Sequence, residues 1–135
     1  MKNILVTGSD GFIGKNLIQA LKRLEGIKVY GYDINDDISS LKEAVRRADI
    51  IFHLAGVNRP EKTEEYKTGN VGFTRMLISM AEESKVKPLI IFSSSIQAAL
   101  DNPYGLSKRK AEEELINWAK RNESAVVIYR LPNVF

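Results

Sequence analysis

Asn3-Ile-Leu-Val-Thr-Gly-Ser-Asp-Gly-Phe-Ile-Gly14 is the stretch from which the rest of the chain can be read. A short apolar run breaks into three glycines, Gly8, Gly11 and Gly14, and a helical pattern starts at once. Glycines belong in such a turn because the backbone must approach a bound group closely. The helix that follows offers unpaired N–H groups and its positive dipole end to an anion. A glycine triplet alone is equally compatible with a plain tight turn. This one follows a strand, opens a helix and is answered by Asp33 about 20 residues further on, the context of a dinucleotide fingerprint.

Composition sets the bounds. A length of 135 residues suits one domain with a core of its own, and 44% hydrophobic with 27% charged residues is a globular mixture. There is no cysteine, so disulfides, thiolate metal sites and a cysteine nucleophile are excluded, and the single His53 excludes a histidine-rich metal site. The net charge of +3 is dispersed among acidic residues, as in Lys108-Arg-Lys-Ala-Glu-Glu-Glu114. That reads as a solvated helix face rather than a nucleic-acid surface. No apolar run approaches the ~20 residues of a membrane span, and Met1-Lys2 leads into a core strand without a signal-peptide pattern, so no membrane partner is expected and the cytoplasm is. The final Arg130-Leu-Pro-Asn-Val-Phe135 falls just after a strand, and we expect the chain to be the N-terminal part of a longer enzyme.

Along the chain, a helix is expected from Phe12 to Leu24, its face marked by Ile13, Leu17, Leu21 and Leu24 and its end by Gly26. Lys28–Tyr32 is the second strand and delivers Asp33 at its carboxyl end. A carboxylate there accepts both hydroxyls of an adenosine ribose and repels a 2′-phosphate, which favours NAD over NADP; the alternative is that Asp33 merely begins a loop. A short helix from Ile38 to Ala48, with Ser39 or Ser40 near its cap and Leu41 and Val45 inward, precedes the third strand, Asp49–Gly56. His53 reads as a core residue or a support rather than a catalyst. After the loop at Asn58-Arg-Pro60, a long helix is expected from Glu61 to Ser84, faced by Val71, Thr74, Ile78 and Ala81 and widened by Met76, Leu77 and Met80. Asn70 and Gly72 sit awkwardly in it, and such local conflict often marks a site, so Asn70 is a cofactor-side candidate. Leu89–Phe92 forms the fourth strand and runs into Ser93-Ser-Ser95; a helix from Tyr104 to Arg121 and a strand Ala125–Tyr129 complete the alternation. Strands alternating with helices demand an open, doubly wound parallel α/β sheet, with its ligand beyond the carboxyl ends of the strands.

The chemical constellation lies in that last crossover. Tyr104 and Lys108 are four apart on one helix face, and Ser95 emerges from the neighbouring strand end. The arrangement suits hydride chemistry at a carbonyl: Ser95 holds the substrate oxygen, Tyr104 gives up its proton, and Lys108 binds the nicotinamide ribose while lowering the tyrosine pKa. Bringing a phenol from about 10 to about 7 requires roughly 4 kcal/mol. One positive charge ~4 Å away supplies that at an effective dielectric near ~20. An isolated Y-x-x-x-K is better read as packing plus a solvated lysine, but here strand order puts the pair at the same sheet edge as the glycine turn. Trp118 reads as core or interface rather than a sugar-stacking residue.

Together, Gly8-x-x-Gly11-x-x-Gly14, His53-Leu-Ala-Gly56, Ser95 and Tyr104-x-x-x-Lys108 resemble the extended short-chain dehydrogenase/reductases, the NAD-dependent epimerase/dehydratase family with a Rossmann-like fold. More narrowly, His53–Pro60, Ser93–Ala98, Asp101–Gly105 and Arg130–Phe135 are similar to the capsular-polysaccharide reductases of the UDP-N-acetyl-L-fucosamine pathway. The resemblance implies reduction of the C4 ketone of a UDP-6-deoxy-N-acetylhexosamine with NAD(P)H, and a downstream substrate segment and metal-containing cupin domain outside these residues. It implies cofactor contacts from Gly8, Ser9, Asp10, Gly11, Phe12, Ile13 and Gly14 in the turn, and from Asp33, Asp37 and Ile38. Further along they come from Leu54, Ala55, Gly56, Ser93, Tyr104, Lys108 and Pro132, beside the candidate Asn70 named above, with Asn133 also near the nicotinamide or sugar. It also implies a homodimer built on the two long helices.

Three departures sharpen the expectation. The helix–strand pair that extended members usually carry after Asp33 is missing, so the sheet should run 2-1-3-4-5 and adenine contacts fall to Asp37 and Ile38. Ile96-Gln97 stands where dehydratases have an acidic pair, which argues against dehydration because nothing is placed to move the extra protons. The nearer relatives use NADPH, whereas Asp33 speaks for NAD. Rival readings are a UDP-sugar C4 epimerase and a dinucleotide-binding module without turnover.

Overall fold

The computed structural model describes residues 1–56 and 67–132. Five parallel strands, β1 (Lys2–Thr7), β2 (Ile27–Tyr32), β3 (Ile50–His53), β4 (Leu89–Ser95) and β5 (Val126–Leu131), form one sheet in the order β2-β1-β3-β4-β5. That is the expected order. Between them run α1 (Phe12–Lys22), α2 (Ile38–Arg47), α3 (Phe73–Glu83), preceded by a π-helical stretch Lys67–Gly72, and α4 (Pro103–Asn122). The chain steps from β1 outward to β2, then returns to the other side of β1 for β3. Such a reversal opens a crevice at the strands' carboxyl ends.

Alternation along each strand divides the core between the two faces. Leu5, Ile51, Ile90 and Phe92 point to the side packed by Leu41 and Val45 of α2, Leu77 and Ile78 of α3, and Leu115 and Trp118 of α4. Ile4 and Val6 point the other way, onto Leu21, Leu17 and Ile18 of α1. Trp118 is a core residue, and its indole N–H has no partner among the described residues. No helix among the described residues is long and apolar enough to cross a membrane.

Several boundaries differ from the sequence reading, each for a local reason. α1 ends at Lys22 and its stripe is narrower than expected: Leu24 lies in the turn beyond the helix and Ile13 in its first turn, both substantially exposed. Asp37, rather than Ser39 or Ser40, caps α2, its carboxylate accepting from Ser39 N–H. β3 stops at His53 because the Leu54 and Ala55 N–H groups turn toward the Thr7 hydroxyl at 3.1 and 3.2 Å. β4 continues through its three serines and β5 through Leu131, since Ser93, Ser94 and Ser95 pair with Tyr129, Arg130 and Leu131. Of the expected Glu61–Ser84 helix, residues 61–66 lie outside the described residues. Asn70 and Gly72 fall in the π-helical stretch rather than in the regular helix α3.

Candidate active site

The glycine turn is built almost entirely from backbone. Gly8 takes a left-handed φ of +72°, and a Cβ there would stand 2.8 Å from the Ala55 nitrogen. At Gly14 a Cβ would come within 2.1 Å of the Gly8 carbonyl oxygen, so α1 sits directly on the turn. Gly8 and Ser9 N–H groups both reach the Tyr32 carbonyl at the end of β2. α1 is capped by Gly11, which has no side chain to close its first turn. Its first-turn N–H groups are thus offered at the crevice, as an anion site requires.

Beside this turn lies a cavity of about 540 Å³, lined by Gly8 and Gly11, by Tyr32, Asp33 and Ile34, by Leu54, Ala55 and Gly56, and by Gly69, Phe73 and Met76. Its size and mixed lining suit a nucleoside-sized ligand. Six of the expected cofactor residues line it: Gly8, Gly11, Asp33, Leu54, Ala55 and Gly56. Ser9 is half-buried in the turn, whereas Phe12 is 73% exposed and Ile13 is exposed beside it on α1. Asp10 joins turn to strand, its N–H donating to Asp33 Oδ2 at 2.8 Å, while Ile34 N–H donates to Oδ1 at 2.8 Å. Asp37 is occupied as the α2 cap, Ile38 is exposed beside it and Pro132 is exposed beyond β5. Asn133 lies outside the described residues. Ile34 and Phe73 were not singled out by sequence reasoning and Met76 only as part of a helix stripe, because nothing in a stripe or loop tells which apolar residue a cavity exposes.

His53 organises the wall between the two ends of the crevice. It is buried and stacked between Phe73 and Phe92. Thr74 O–H donates to the Asn70 carbonyl at 2.7 Å, so its oxygen must accept from His53 Nε2–H at 2.9 Å. Nδ1 is then the acceptor for Thr7 O–H at 2.8 Å. Burial, aided by the nearby Lys108 charge, pushes His53 down to about 3, so the ring stays neutral. It is a support, as the sequence reading had it.

At the far end, Lys108 is only 5% exposed. Its ammonium donates to the Ser93 carbonyl at 3.3 Å and lies 5.1 Å from the Phe92 ring centre and 5.9 Å from that of Tyr104. Burial pushes it down to about 8, and Glu112 pulls it part of the way back. Asn70 spans the gap to α4: its amide donates to Ser107 Oγ at 2.8 Å, and Ser107 O–H donates to the Tyr104 carbonyl at 2.7 Å. Ser95 is buried and caps the turn Ile96–Ala99, its oxygen accepting from Gln97 N–H at 3.1 Å, which leaves its own proton to donate. Gly56 joins the two ends. It lines the cavity, and a Cβ on it would meet both Asn70 Oδ1 and Lys108 Nζ at 2.8 Å. Thr7, Thr74, Ser107, Glu112 and Arg130, which hold this arrangement, were missed by sequence reasoning because their partners lie far away in the chain.

Residues 4–135 match the NAD dependent epimerase/dehydratase family. The chain belongs to that family. Over 132 residues it is 46% identical to the UDP-2-acetamido-2,6-beta-L-arabino-hexul-4-ose reductase of Pseudomonas aeruginosa, covering 98% of this chain and 36% of that protein. Among solved structures, the capsular polysaccharide assembling protein CapF of Staphylococcus aureus superposes with a TM-score of 0.85 at 41% identity, over 98% of this chain and 36% of that one. The UDP-glucuronic acid 4-epimerase of Bacillus cereus in complex with NAD gives 0.84 at 23% identity, covering 98% of this chain and 57% of that one, a likeness of fold. The chain thus spans about a third of the length of the reductase it matches. Family membership makes a nicotinamide dinucleotide the cofactor class, and the Cβ-intolerant glycine turn with its uncapped helix fits such a group.

Proposed function

We propose that this chain is the dinucleotide-binding part of a nucleotide-sugar oxidoreductase that reduces the C4 ketone of a UDP-6-deoxy-N-acetylhexosamine in surface-polysaccharide synthesis. The observation that carries the reading is Gly56: one residue lines the cavity and lies against the ammonium of Lys108, so a ligand in the crevice runs from the glycine turn to the Tyr104 helix. The 46% identity to a 4-ketosugar reductase supports the direction of the chemistry.

In this reading the glycine turn and the first turn of α1 hold the pyrophosphate, Asp33 the adenosine ribose, and Lys108 the nicotinamide ribose. The bound cofactor supplies a hydride. Ser95 donates to the ketone oxygen and orients it, Tyr104 delivers the proton that the new alcohol needs, and the buried Lys108 charge favours the phenolate left behind. Asp33 supports NADH over NADPH by its negative charge, while the narrower resemblance to NADPH reductases points the other way. A homodimer through α3 and α4 and a cytoplasmic setting complete the proposal. α3 and α4 already lie together, Arg75 pairing with Glu114 at 2.8 Å.

The test is to incubate the full-length protein with candidate UDP-4-ketosugars and either reduced nicotinamide. Net loss of reduced-nicotinamide absorbance with formation of the 4-hydroxy sugar is expected. Interconversion of two 4-hydroxy epimers without net consumption would make the protein an epimerase, and binding without any product would make it a non-catalytic module.

A further inference from the structure

One charged residue of the reacting end has no part in the chemistry described above. Glu112 follows Lys108 by four residues on α4, so the two share a face one turn apart. It is 5% exposed, unusual for a glutamate. Its carboxylate is held from two strands at once: Ser94 O–H on β4 donates to Oε2 at 2.5 Å, and Arg130 on β5 donates through Nε to Oε2 at 3.0 Å and through Nη2 to Oε1 at 2.8 Å. Ser94 and Arg130 are themselves register partners. The carboxylate therefore ties together the strand carrying Ser93 and Ser95, the helix carrying Tyr104 and Lys108, and the strand leading to Pro132.

Lys108 needs such a partner. Around its ammonium stand the Phe92 ring and Ser93 carbonyl from β4, Tyr104 from its own helix, and Asn70 with Gly56 from across the crevice. His53 on β3 is neutral and Arg130 on β5 is cationic. Among the described groups facing Lys108, Glu112 carries the negative charge.

We propose that Glu112 is a positioning residue for Lys108, keeping its ammonium charged and directed at the crevice, and that Arg130 sets how much of that negative charge Lys108 feels. The catalytic importance of this rests on the function proposed above; the electrostatic coupling does not. The arginine orients the carboxylate and partly neutralises it, so the two residues act on Lys108 with opposite sign.

Isotope-labelled lysine side chains followed by NMR across pH read this directly in the full chain. Glu112→Gln should lower the Lys108 midpoint by about one unit. Arg130→Gln leaves the carboxylate facing Lys108 and held by Ser94, and should raise it by about half a unit. A midpoint that stays put in either variant, or shifts the same way in both as mere loosening of the joint would produce, overturns the proposal. Where Glu112→Gln does not fold, the sign in Arg130→Gln decides. If the midpoints move as expected while the pH profile of turnover does not follow, the coupling stands and the assignment of Lys108 to the chemistry falls.

Discussion

The two ends of the crevice are made of different materials. At the β1–β2 end, backbone does the work: a turn closed by N–H bonds to Tyr32, a helix resting on a carbonyl, and one carboxylate, Asp33, latching Asp10. At the β4–β5 end, side chains do it, in a chain of hydrogen bonds and charges running through Asn70, Ser107, Lys108, Glu112 and Arg130. Backbone geometry tolerates almost any neighbour that leaves the glycines alone. A side-chain network depends on every member, and burying a lysine within it costs stability. The difference teaches that the glycine turn is set by the start of the fold, whereas the surroundings of Lys108 are assembled across it, and the proposed function assigns binding to the first and reactivity to the second.

The sharpest way to break this comparison is Tyr104→Phe, which removes the hydroxyl to which the proposed function gives the proton transfer. Turnover of the full-length protein should fall by about a hundredfold to ten-thousandfold, with dinucleotide affinity held. An equal loss of both would mean that the two ends are not separable. Next comes Gly14→Ala, which drives a methyl into the Gly8 carbonyl. Because backbone must move, about 3 kcal/mol of stability should go in denaturant titration, with dinucleotide binding lost as well.

Lys108→Met should act in the opposite direction. Burial pushes Lys108 down to about 8 in the folded chain from an ordinary 10.5. The folded state thus holds its proton less tightly than the unfolded chain, and the charged form is penalised at neutral pH by about 3 kcal/mol. Losing the bond to Ser93 offsets about 1 kcal/mol, so Lys108→Met should be more stable by about 2 kcal/mol below pH ~8, and this gain should fade by pH ~10.5. Thermal melts at several pH values measure it. The smallest effect is expected at Asp33→Asn, which keeps an acceptor for Asp10 N–H and removes the charge. Preference should move toward NADPH by about tenfold, or about 1.4 kcal/mol, and unchanged preference would refute the role of Asp33 as discriminator.

The same contrast explains what could be read from sequence. The open parallel sheet followed from an alternation in which each element declares itself within a dozen residues, its order 2-1-3-4-5 came from the resemblance and the helix–strand pair missing after Asp33, and the glycine turn announced itself because its requirements are local. Asn70 was noticed only as a misfit in a helix; it falls in the π-helical stretch, and its amide reaches Ser107 on α4. Glu112 looked like one acid among the charges of Lys108–Glu114, a solvated face. Nothing local distinguishes it from Glu113, which is exposed; only the register that sets Arg130 beside Ser94 does so. Likewise the end of β3 depends on Thr7, 46 residues before His53.

Trp118 gives these experiments an internal reporter. The chain has one tryptophan, and its indole is enclosed by the sheet and helices, with no hydrogen-bond partner for its N–H among the described residues. Its emission should therefore be blue in the folded chain and move to the red as the chain opens, so folding of every variant can be followed by intrinsic fluorescence without a label.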